Sequence, residues 1–289
     1  MPHARVNLQH LIAALALLTA GSLVVADEPR TVHGLTSPES VLVGADGRIY
    51  VSEIGGFGKD GDGRIAVIDA TGKLMPFATG LDDPKGLAAH KGWLYVADKT
   101  RVVKIDRQGR TSVLAQASNF PQPPRLLNDL SADDDGNLYV SDTGDLQGGG
   151  KGAIFRITPQ GKVTLLVSEA QNPAIKNPNG LLWEGKDRLL VLDFATGELL
   201  RLNTKTGATD KLADGFGGGD GLARDKAGVL FISDWTGGRV FKLDLRQPGA
   251  KPQPYAQTFQ SAADITLSRD ERFILVPDMK AGTLVWLPK

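Results

Sequence analysis

One pattern returns six times along this chain, and it leaves few architectures open. Each copy is a turn, a pivotal residue, an apolar strand, a second turn and a β-branched strand ending in an acid. The copies read SPESVLVGADGRIYVSE, DPKGLAAHKGWLYVAD, LLNDLSADDDGNLYVSD, NPNGLLWEGKDRLLVLD, GGDGLARDKAGVLFISD and AADITLSRDERFILVPD. Read in this register, the pivotal residues are Glu39, Lys85, Asn128, Asn179, Asp220 and Asp264. They are spaced 46, 43, 51, 41 and 44 positions apart, the length of one four-stranded propeller blade. The closing acids are Glu53, Asp98, Asp142, Asp193, Asp234 and Asp278, read as turn formers at strand ends.

A third strand follows each closing acid (RIAVID, RVVKID, AIFRIT, ELLRLN, RVFKLD, TLVWLP), and a more polar fourth follows in the first five copies. The sixth copy runs out of chain after Trp286–Lys289. Arg30–Leu35 precedes Glu39 much as FATGL precedes Lys85, so it can supply the missing strand and leave no unmatched blade edge. The expectation is an all-β fold: a six-bladed β-propeller over residues 27–289, closed by its N-terminal strand.

Residues 1–26 read differently. Met1–His10 carry Arg5 and no acid, Leu11–Leu18 is apolar, and Val24, Val25 and Ala26 precede Asp27. That is the pattern of a secretory signal peptide cleaved after Ala26, giving a periplasmic or secreted protein. Thr19, Gly21 and Ser22 interrupt the apolar stretch, which is short for a membrane span. No membrane association is expected after cleavage. A formal net charge of zero gives no electrostatic reason to bind nucleic acid. Without Cys, disulfides, thiolate metal sites and a Cys nucleophile are excluded.

The pivotal residues open the innermost strands, which surround a propeller's central channel, so their side chains are expected to converge. Burying several carboxylates without compensation is expensive, and a bound cation is the simplest relief. Carboxylate and amide oxygens suit Ca2+, with Mg2+ left open. Zinc would favour His or Cys, and past residue 26 the only histidines are His33 and His90, neither pivotal. Lys85 stands out. It either leans on a carboxylate such as Glu39 in place of a metal, carries its charge to the pocket mouth to bind an anionic substrate group, or points into solvent.

These motifs resemble the family of senescence marker protein, gluconolactonase and luciferin-regenerating enzyme. The resemblance rests on Glu39 in SPES, Asn128 in LLND, Asn179 in NPNG and Asp220 in GGDG. It implies metal ligation by Glu39, Asn179 and Asp220, with Asn128 as ligand or substrate contact. It implies calcium-dependent hydrolysis of a small-molecule lactone or related ester. Asp220, favoured by the resemblance, or Asp264, favoured because a metal ligand is a poor base, would accept the proton of water. The family often has an Arg two residues before the third-blade Asn. Here Arg125 sits three before it, as a candidate substrate contact. The rival reading is a non-catalytic propeller of the NHL-repeat kind, binding a protein or small molecule.

Second strands run back to the ring face, so the Gly-rich loops Ile54–Gly63 and Thr143–Gly152 should lie over the ring, with Asn119–Leu127 and Ala170–Pro178. Phe57, Phe120, Arg125 and Trp235 are expected to line the pocket. The run GGGKG at 148–152 opens no helix and is not read as a phosphate loop.

Overall fold

A computed structural model describes Met1 and residues 30–289, apart from 70, 148 and 248. The signal-like segment lies outside the described residues. The strands form six four-stranded antiparallel sheets. Blade one is Pro38–Val43, Ile49–Glu53, Gly63–Ile68 and Leu74–Leu81, and blades two to five repeat this meander. Their innermost strands are Pro84–His90, Leu127–Ala132, Pro178–Gly185 and Gly219–Arg224.

Blade six joins the two ends of the chain. Its inner three strands are Thr266–Leu267, Phe273–Asp278 and Thr283–Pro288, and its outermost is Arg30–His33, antiparallel to Thr283–Pro288. Thr31 pairs with Val285, and the Arg30 guanidinium stacks over Trp286 at 4.7 Å. Innermost strands of successive blades pack side by side all the way round, blade six against blade one included.

The second strands are apolar on both faces because each blade is covered on both sides. Leu138–Asp142 and Leu230–Asp234 are buried at every position. Between blades one and two the core holds Ile65, Leu81, Leu87 and Val96. Between six and one it holds Val41, Val51, Leu284 and Trp286. Outer strands such as Thr111–Ala115 meet solvent and alternate less strictly.

The closing acids act as brackets. Each accepts backbone N–H groups from the segment entering the innermost strand of its own blade. Asp193 accepts from Lys176 and Asn177, Asp142 from Arg125 and Leu126, and Asp278 from Gln260 and Ser261. Glu53 takes the Thr36 N–H and a two-pronged contact from Arg64.

Candidate functional site

The pairing register decides which side chains share the ring. Opposite each closing acid stands the residue just before the ring position: Pro38 for Glu53, Pro84 for Asp98, Leu127 for Asp142, Pro178 for Asp193 and Gly219 for Asp234. In blade six that partner is Ala262, opposite Asp278. The ring position there is Ala263, and the expected pivot Asp264 is one residue too far along. The sixth repeat carries an extra residue between its ring position and its acid, which an alignment on the acid alone absorbs in the wrong place. The ring is therefore Glu39, Lys85, Asn128, Asn179, Asp220 and Ala263.

Asp264 belongs to the layer beneath, with Ser40, Gly86, Asp129, Gly180 and Gly221. Its bridge to Ser40 and the 2.5 Å hydrogen bond it accepts from Ser40 Oγ fix it there. The glycines of this layer have a steric cause. A Cβ on Gly221 would meet the Asp264 Cα at 2.5 Å, and one on Gly86 the Asp129 Cα at 2.5 Å. Neighbouring inner strands are too close there for a side chain, which explains the Gly after the pivot in PKG, NPNG and GGDG.

Glu39, Lys85, Asn128, Asn179 and Asp220 form the floor of a cavity of about 760 Å³. All five are buried. Asn128 Nδ2 donates to Thr143 Oγ1 at 3.0 Å, and that hydroxyl donates to the Pro178 carbonyl at 3.0 Å. Asn128 Oδ1 is left without a partner. Glu39 Oε2 and Asp220 Oδ1 are likewise buried and unpartnered. Buried polar atoms in native proteins are nearly always paired, so three orphaned oxygens at one cavity floor mark a place for a ligand.

Burial pushes the Glu39 and Asp220 carboxyls well above the usual range; Asp220 raises Glu39 further, and Asp264 and Asp129 raise Asp220. Asp264 is raised to about 7, chiefly by burial. Lys85 is pulled down by burial, opposed first by the negative charge of Glu39. Its Nζ donates to the Asp83 carbonyl at 3.2 Å and lies 5.0 Å from the Phe57 ring centre. Lys85 thus tucks against the cavity wall, and the reading in which it points into solvent is corrected.

The expected loops do lie over the ring: Ile54 and Phe57 come from one, Thr143, Leu146, Gln147 and Gly149 from the other. Trp235 lines the wall as expected. Phe120 does not; it is buried edge-on to Phe155 at 4.9 Å, in the core between blades two and three. Arg125 is also corrected. Its backbone N–H is held by Asp142, and its exposed side chain lines a separate cavity of about 450 Å³ with Lys151 and Glu169. The three-residue offset from Asn128 turns it away from the ring. Asp264 borders neither; it lines the channel on the far side of the ring with Asp129 and Leu130.

The connections Asn119–Leu127 and Ala170–Pro178 reach the cavity as expected, through Leu126, Lys176 and Asn177, whereas sequence reasoning missed Phe194 and Met279. A repeat signal was present. The residues after the closing acids are Ile54, Lys99, Thr143, Phe194, Trp235 and Met279, and all but Lys99 line the cavity. Lys99 instead pairs with Asp60 at 2.5 Å.

Among the described residues no group of three or more His, Cys, Asp or Glu is arranged to hold a metal. The floor offers two carboxylates and amide oxygens, a hard all-oxygen donor set that fits Ca2+ and not zinc.

Fold and floor together define a closed six-bladed propeller with a polar, acid-and-amide site at one mouth of its channel. The chain belongs to the SMP-30/gluconolactonase/LRE-like family, whose model matches residues 78–256. A curated relative is strictosidine synthase-like protein 3 of Arabidopsis thaliana, 27% identical over 251 residues and 73% of this chain. The match covers 62% of that relative's length. Among solved structures, a candidate gluconolactonase aligns with TM-score 0.70 at 21% identity, covering 91% of this chain and 92% of the other. Virginiamycin B lyase of Staphylococcus aureus aligns with TM-score 0.61 at 14% identity, covering 91% and 99%. At such identities these two likenesses speak to the fold.

Proposed function

We propose that the protein is a Ca2+-dependent hydrolase of a lactone or related ester. The observation that carries this reading is the set of three buried, unpartnered oxygens, Glu39 Oε2, Asn128 Oδ1 and Asp220 Oδ1, on the floor of one cavity. Glu39, Asn179 and Asp220, with Asn128, would hold the ion. When bound, Ca2+ would supply Lewis-acid polarisation of a carbonyl oxygen. Membership in the gluconolactonase-like family supports the reaction class.

Of the two candidate bases, Asp220 faces the cavity, whereas Asp264 lies a layer below with one oxygen engaged by Ser40. Asp220 accepts the proton of the attacking water as its oxygen bonds to the carbonyl carbon. The acyl C–O bond then breaks, and the proton passes to the leaving alkoxide, giving an acid and an alcohol. Lys85, held against Asp83 with N–H groups to spare, binds the carboxylate so formed.

A panel of lactones and esters, assayed with calcium and then with a chelator, tests the proposal. Chelator-sensitive turnover is expected. Glu39→Gln and Asp220→Asn should each weaken calcium binding at least tenfold by calorimetry. Unchanged affinity in both would refute the ligand assignment, and no turnover on any member would leave a non-catalytic binding propeller.

A further inference from the structure

Resting on that reading, we infer that the substrate is an amphipathic lactone or ester with an apolar body, not a polyhydroxylated sugar lactone. The polar atoms able to meet a substrate are concentrated on the floor. Above it, Thr143 and Asn177 line the wall but are already committed. Thr143 Oγ1 bonds Asn128 and Pro178, and Asn177 donates to the Thr143 carbonyl and accepts from Gly150. The rest of the wall includes Leu126, Phe194, Trp235 and Met279.

Gln147 and Lys176, both exposed, also line the cavity, but the large side chains at its rim are apolar. Phe57 and Leu146 are 68% and 50% exposed and stand on the two Gly-rich loops that overhang the ring. Large apolar side chains left open at the rim of a cavity mark the surface a ligand covers. A sugar hydroxyl carried against Leu126, Phe194, Trp235 or Met279 would lose its water without gaining a partner. A methylene would gain from the same transfer. The cavity of about 760 Å³ also has room for a body larger than one sugar ring.

The test measures binding apart from turnover. Calorimetry on the full-length protein with calcium uses δ-lactams, inert analogues of δ-lactones, bearing alkyl tails of two to eight carbons, and a polyhydroxylated δ-lactam of gluconolactone shape. Affinity is expected to rise roughly two- to fourfold per methylene until the cavity is filled. Phe57→Ser and Leu146→Ser should flatten that slope, with unchanged melting temperature confirming the fold. In parallel, kcat/KM for long-alkyl δ-lactones should exceed that for δ-gluconolactone at least tenfold. Affinity flat in chain length, tighter binding of the polyhydroxylated lactam, or no binding of either would overturn the inference. Tail-dependent binding with no turnover of any lactone would remove the hydrolase reading alone. Turnover of gluconolactone with a flat slope would remove this inference alone.

Discussion

Lys85 is the residue at which this floor is least expected. Two carboxylates, Glu39 and Asp220, face one ammonium, and the ammonium turns aside to the Asp83 carbonyl beneath Phe57. No Lys85–Glu39 ion pair is formed among the described residues. An ammonium held away from the orphaned oxygens leaves them to a cation, and still offers donors to an anion in the cavity. Lys85→Ala is therefore expected to keep calcium affinity within about threefold while weakening inhibition by the carboxylate product roughly tenfold, the loss of one charge-assisted hydrogen bond. Calorimetry and product-inhibition kinetics read the two effects separately. Calcium binding tightened tenfold or more would show instead that Lys85 occupies the cation's place.

At the scale of the element, the recurring device is an inner strand clamped by the acid that ends the second strand. Asp193 is fully buried and accepts the N–H groups of Lys176, Asn177 and Thr196. Those bonds set the entry of Pro178–Gly185 and hence the position of Asn179. Asp193→Ala would leave buried donors unpaired and should cost about 3 kcal/mol. Urea denaturation should show a lower midpoint at similar slope, and calcium affinity should fall because Asn179 loses its anchor. A midpoint within experimental error of the parent would show that water replaces the carboxylate. The neighbouring glycines work the other way, keeping side chains out where inner strands converge.

For the whole molecule, closure and channel charge are the two features to test. Removing residues through His33 would strip blade six of its outer strand and expose Thr283–Pro288 as an edge. The truncated protein should melt about 5 °C or more lower and self-associate in gel filtration. A monomer of unchanged melting temperature would mean that the clasp is dispensable. The channel holds four buried carboxyls, Glu39, Asp129, Asp220 and Asp264, all raised by burial, the first three further by repulsion from neighbouring carboxylates, and Asp264 to about 7. Groups with raised folded values bind more protons folded than unfolded, so metal-free stability falls as pH rises from about 4 through that range. With chelator, the melting temperature should drop between pH 5 and 8, and added calcium should restore it most at pH 8. Asp264→Asn should reduce the drop; a pH-independent melting temperature would contradict it.

The repeat alone determined blade number, closure and all five floor residues, because blades of one kind place equivalent positions at the same radius and height. Glu39, Asn128, Asn179 and Asp220 were legible for that reason, as was Lys85's place among them. Tertiary structure decided what repeat spacing leaves free. One extra residue in blade six moved Ala263 into the ring and Asp264 beneath it, since strand pairing and not residue count sets the register. A three-residue offset turned Arg125 to another cavity, and Phe120 went into the core because its ring packs against Phe155. The apolar wall came from residues following the closing acids, whose shared direction is fixed only once all the blades are wound around one channel.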